Sequence, residues 1–169
     1  AFFTIGSFMA GWIILYGAVQ AMAPGILRAR ARGEAAMVAS ARNWALALVA
    51  VPALLAALVA FTGEPAPWLT ATVIAGLLVF GAIFAVNSSL HSYLILAFTD
   101  ERRVTMDVGF YYMANAAGRL LGTVLSGASY QLGGLPLCLG TAAVMVALSA
   151  WGAARLSVNP DPAAHPESA

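Results

Sequence analysis

Charge is what this sequence has least of: Asp, Glu, Lys and Arg together make up 9% of its 169 residues. Lysine is absent, so each of the 8 basic residues is an arginine, set against 7 acidic ones for a net charge of +1. A soluble domain carries about 25% charged residues, so an ordinary water-soluble fold is excluded. The even balance also excludes a nucleic-acid binder, which needs a basic face to neutralise phosphates. Thiols are equally scarce: Cys138 stands alone, so no internal disulfide can form. There is no metal-ligand spacing, no Walker loop and no nucleophile–base constellation. The residues therefore point to no metal, no cofactor and no enzyme chemistry. A basic leader with a small-residue cleavage site is missing too. The stretch from Ala1 is apolar from its first residue, which leads us to expect a piece of a longer membrane protein.

What is present is hydrophobic bulk, 62% of the residues, with a mean hydropathy of +0.86. A helix crosses the hydrocarbon core with about 20 mostly apolar residues, and the sequence offers five such runs: Ala1–Ala23, Trp44–Thr62, Trp68–Phe98, Val104–Tyr130 and Leu135–Leu156. They are bounded by Pro24-Gly25, by the Gly63–Pro67 turn and by Gly133-Gly134. None alternates with the period of two that a strand requires. The expected fold is an all-α integral membrane bundle over residues 1–156. A Pro-rich, disordered tail follows over 157–169. As one helix the third run would be about 46 Å long, against about 30 Å of hydrocarbon. It must either tilt and project or break near Asn87-Ser88-Ser89.

The arginines set the orientation. Arg28, Arg30, Arg32 and Arg42 fall in the first connection, Arg102 and Arg103 in the third, and Arg155 at the last helix end. The second and fourth connections have none, so the arginine side and the C-terminus are expected in the cytoplasm. One arginine is left over. Arg119 sits in the middle of the fourth run, where a charge normally faces a cavity or a partner.

Tyr112, Asn115, Arg119, Gly122 and Ser126 fall on one helical stripe, at i, i+3, i+7, i+10 and i+14. A guanidinium's planar fork suits carboxylate or phosphate oxygens, and Asn115 and Tyr112 add hydrogen bonds; Tyr111 is an alternative to Tyr112. In the third run Asn87 and His91, and Ser88 and Ser92, form i, i+4 pairs. Histidine is the residue type suited to exchanging protons under physiological conditions, which makes His91 a candidate for proton coupling; the alternative is a structural histidine bonded to Ser88 or Asn87. Gly118-x-x-x-Gly122 reads as a helix-packing face, and the Asp107 and Asp100–Arg103 charges as solvated or ion-paired ends.

Two stretches carry a resemblance. Residues 87–98, Asn-Ser-Ser-Leu-His-Ser-Tyr-Leu-Ile-Leu-Ala-Phe, and residues 108–127, from Val-Gly-Phe-Tyr-Tyr-Met-Ala-Asn to Thr-Val-Leu-Ser-Gly, resemble ArsJ-type organoarsenical efflux permeases. The topology resembles the C-terminal half of a major facilitator superfamily carrier, its last five helices of twelve. The resemblance implies a bacterial inner-membrane exporter of 1-arseno-3-phosphoglycerate. It also implies a partnering N-terminal half, contact with membrane lipid and a part in arsenate resistance. Arg119 would then meet the anionic substrate, with Asn115, Tyr112, Asn87, Ser88 and His91 around it. Another facilitator carrier, for drugs or sugar phosphates, and a non-transporting membrane scaffold are the rival readings.

Overall fold

A computed structural model describes residues 2–27, 33–64, 66–98 and 104–155. Among them there is no strand. The chain forms α1 (Phe2–Leu27), α2 (Gly33–Thr62), α3 (Pro67–Phe98) and α4 (Val104–Ala154). All four are long and apolar enough to cross a membrane, as in a multi-pass membrane protein. Large apolar side chains such as Ile5, Ile14, Leu54, Phe61 and Leu120 stand exposed on their outer faces, the surface that a lipid solvent accepts.

Several boundaries differ from the sequence expectation. Helix α1 continues through Pro24-Gly25 to Leu27. Proline removes one N–H from the ladder, and in lipid unwinding would strand several more backbone groups, so the helix persists. The same holds for Pro52 inside α2. Helix α2 begins at Gly33, well before Trp44, because Glu34, Ala35, Ala36 and Met37 are good helix formers although not membrane-like. Arg42 is therefore a helical, exposed residue and not part of a connection. The other connection arginines, Arg28, Arg30, Arg32, Arg102 and Arg103, lie outside the described residues, as do Asp100, Glu101 and the 157–169 tail.

Helix α3 runs unbroken through Asn87-Ser88-Ser89 for 32 residues, about 48 Å at the α-helical rise. Its hydroxyls are satisfied within the helix: Ser89 donates to the Ala85 carbonyl at 3.1 Å. Two glycines let its neighbours approach. A Cβ at Gly81 would lie 2.6 Å from Trp12 Nε1 of α1, and one at Gly76 would lie 2.7 Å from a Leu55 methyl of α2. Five residues of helix turn these notches about 140° apart, so α1 and α2 pack on different sides of α3. Trp12 Nε1 donates to the Leu77 carbonyl at 3.2 Å. The same contact continues in stacked and tilted rings, Trp12–Tyr16 at 5.7 Å and Tyr16–Phe84 at 5.9 Å.

Contacts fix the directions. Trp12 then Tyr16 of α1 meet Gly81 then Phe84 of α3, so these two run parallel. Leu55 meets Gly76, whereas Ala41 joins Val86, Leu90 and Leu94 in the core, so α2 runs opposite to α3. Helix α4 is 51 residues long but holds a break: Gly133 (φ −152°, ψ 22°) and Gly134 (φ 64°, ψ −157°) leave helical geometry. The Gly134 conformation is one that essentially only glycine adopts. In a straight helix residues 126 and 138 would be about 18 Å apart, yet Ser126 Oγ and Cys138 Sγ are 3.3 Å apart. The chain folds back there into a first limb, 104–132, and a second, 135–154. Leu139 and Ala142 of the second limb meet Val51, Pro52 and Leu55 of α2. The limbs and helices thus alternate in direction, with Arg42 and Arg155 toward one end of the bundle and Glu64 at the other.

Candidate functional site

The first limb of α4 carries the polar stripe read from the sequence. Helical side chains lean toward the N-terminus of their helix, so Arg119 reaches back one turn and its Nε–H donates to Asn115 Oδ1 at 3.1 Å. Both residues are exposed. Arg119 lies about 22 Å from the start of the limb and about 21 Å from the glycine break, near its middle. No carboxylate among the described residues pairs with it; Asp107, on the same limb, is about 18 Å away along the axis. One turn further along, the Thr123 hydroxyl donates to the Arg119 carbonyl at 2.8 Å. The Arg119 side chain is thus a mid-helix cation, anchored at Nε and otherwise open.

Tyr112 is 67% exposed and its ring lies 5.6 Å from that of Tyr111. Both tyrosines line a small cavity of about 90 Å³ with Val108, and with Ser92 and Ile95 of α3. This cavity is where the polar residues of α3 and α4 meet.

The α3 group has its own internal chemistry. His91 Nδ1 lies 2.9 Å from the Asn87 carbonyl oxygen. A carbonyl can only accept, so Nδ1 carries a proton and donates it to this bond. Ser92 Oγ donates to the Ser88 carbonyl at 3.1 Å. The i, i+4 pairs expected from the sequence are thus made through backbone carbonyls. Their surroundings differ: Asn87 is buried, Ser88 and His91 are half-buried, and Ser92 is exposed. Asn87 Oδ1 is buried with no hydrogen-bond partner. Among the described residues no hydrogen bond or ion pair joins Asn87, Ser88 or His91 to Asn115 or Arg119. The residues form two clusters linked through Ser92 and the tyrosines, not one closed pocket.

Other features escaped sequence reading. Cys138 and Thr141 line a cavity of about 220 Å³ between the limbs of α4, together with Gly122, Ser126 and Met145. A fold-back at Gly133-Gly134 pairs residues that straddle it, and that symmetry was the available signal. A roomier cavity of about 520 Å³ opens at the α2–α3 turn, against Leu135 and Pro136. Among the described residues Glu64 is the charged one lining it, and Arg119 is not on its wall. Gly118 and Gly122 have nothing within 4 Å of where a Cβ would stand, so this small-residue face is open here. Comparison with protein-family models, curated proteins and solved structures found no match to the chain.

Proposed function

We propose that this chain is a transporter domain of major facilitator type that exports an anionic organoarsenical, 1-arseno-3-phosphoglycerate, across a bacterial inner membrane. On this reading the two limbs of α4 are separate spans, which makes five, and the arginine-bearing end with the C-terminus faces the cytoplasm. The observation that carries the proposal is Arg119: an arginine at mid-helix, bonded to a neutral asparagine and with no carboxylate partner among the described residues. A bare cation at that depth is expensive unless it faces a water-filled path or an anion. A multiply charged phosphate–arsenate ester supplies that anion. On this reading Asn115 and Tyr112 border the path from α4, and Asn87 and Ser88 belong to the second polar cluster, on α3. His91 is the proton-coupling residue on this reading. Transport follows from rocking of helical bundles about a midplane site.

The test is arsenate resistance in cells, together with uptake of labelled organoarsenical into everted vesicles. The Arg119→Gln protein should insert normally and lose both. Full resistance in that variant would sink the proposal.

The unfilled position at Gly118 favours a second reading, a membrane scaffold whose small residues dock a partner helix. That reading predicts no substrate-dependent flux in vesicles.

A further inference from the structure

We infer that Asn115 is a positioning residue that makes Arg119 an end-on receptor for oxyanions; this rests on the anion-site reading above and specifies how the site recognises its ligand. A guanidinium has two edges able to hold two oxygens at once, one formed by Nε and one Nη, the other by the two Nη groups. In this structure the Nε–H is occupied by Asn115 Oδ1 at 3.1 Å, which closes the first edge. The Nη–Nη edge remains, and Arg119 makes no other side-chain bond among the described residues that would engage it.

Two parallel N–H groups match two oxygens on one central atom, as in a phosphate, arsenate or carboxylate. A monatomic anion such as chloride cannot use both in the same way. The ligand class is therefore an oxyanion that arrives tip-first and not along the flank of the arginine.

The chemistry of Asn115 suits this role. Its amide oxygen anchors Nε while leaving the positive charge intact. An aspartate there would make the same hydrogen bond and cancel the charge; an alanine would leave the charge and free a long, rotamer-rich side chain. The two substitutions thus damage binding for opposite reasons.

The experiment is calorimetric binding of 3-phosphoglycerate to the purified full chain in lipid nanodiscs at constant ionic strength, with inorganic phosphate and chloride as competitors. Phosphate should compete and chloride should not. Asn115→Ala should weaken binding about tenfold, the size of one charge-assisted hydrogen bond, and Asn115→Asp should weaken it at least as much while keeping the fold. Asn115→Gln, an uncharged acceptor, should recover part of the affinity. In an Arg119→Lys background, which has no fork to orient, Asn115→Ala should have no further effect. Unchanged binding in Arg119→Gln would overturn the anion site itself. If Arg119→Gln abolishes binding but Asn115→Ala or Asn115→Asp binds like the native protein, the anion site stands and the positioning role falls. An equal loss from Asn115→Ala in the native and the Arg119→Lys backgrounds would overturn that role too.

Discussion

Replacing Gly81 by alanine places a methyl 2.6 Å from Trp12 Nε1, 2.9 Å from Cε2 and 3.2 Å from Cζ2. Carbon atoms in ordinary contact sit about 3.5–4.0 Å apart, so the indole must retreat by about an ångström. It is a rigid ring, stacked on Tyr16 with an interplanar angle of 12°, and cannot bend out of the way. The retreat lengthens the 3.2 Å bond from Nε1 to the Leu77 carbonyl beyond hydrogen-bonding range. Losing an interhelical bond in a membrane protein costs about 0.6–1.7 kcal/mol, and overpacking adds about 1–3 kcal/mol. Alanine's better helix propensity returns about 1 kcal/mol. The net expectation is a loss of about 0.6–3.7 kcal/mol. Gly17→Ala on α1 is the control, because nothing lies within 4 Å of its Cβ position, and it should be neutral or stabilising. Reversible unfolding in mixed micelles, followed by tryptophan fluorescence, compares the two. Trp12→Phe removes Nε1 and Cζ2, so adding it to Gly81→Ala should recover part of the loss. If Gly81→Ala unfolds no more easily than Gly17→Ala, the α1–α3 contact described above is wrong.

Gly134→Ala should destabilise by about 1–3 kcal/mol, since φ 64° with ψ −157° is a conformation that other residues hold only under strain; the same unfolding assay reads it. Ser126→Cys should cross-link to Cys138 under mild oxidation, given the 3.3 Å between the native side-chain atoms. A reduced, uncross-linked product would mean that the α4 limbs do not fold back. Asn87→Ala should be tolerated far better than Leu90→Ala. The first removes a buried acceptor without a partner, relieving about 1–3 kcal/mol. The second empties a fully buried site at a cost of about 2–5 kcal/mol. Equal losses from the two would contradict the burial of an unsatisfied Asn87 Oδ1.

Much of the helical plan was legible in residue order. Length and hydropathy placed α3 within a residue of its start, and Gly133-Gly134 marked the turn that the φ and ψ values now define. Two boundaries were not legible. Pro24 reads as a stop, and the segment before Trp44 reads as a polar connection, because a window of residues weighs composition and not the hydrogen bonds that a lipid environment enforces. The Asn115–Arg119 bond follows directly from i, i+4 spacing. The grouping of that pair with Asn87, Ser88 and His91 did not follow, since spacing within a helix says nothing about the rotation of one helix against another.

By itself the sequence determined that this is a membrane protein and that Arg119 is the arginine that topology does not explain. A nearly uncharged chain has no other stable solvent, and each buried charge must then be accounted for singly. Tertiary structure alone decided which residues meet. It put Trp12 in the notch at Gly81, brought Ser126 onto Cys138, and left the Nη edge of Arg119 open. Those contacts depend on glycine-sized clearances and helix rotations, which are properties of packed surfaces and not of any one helix.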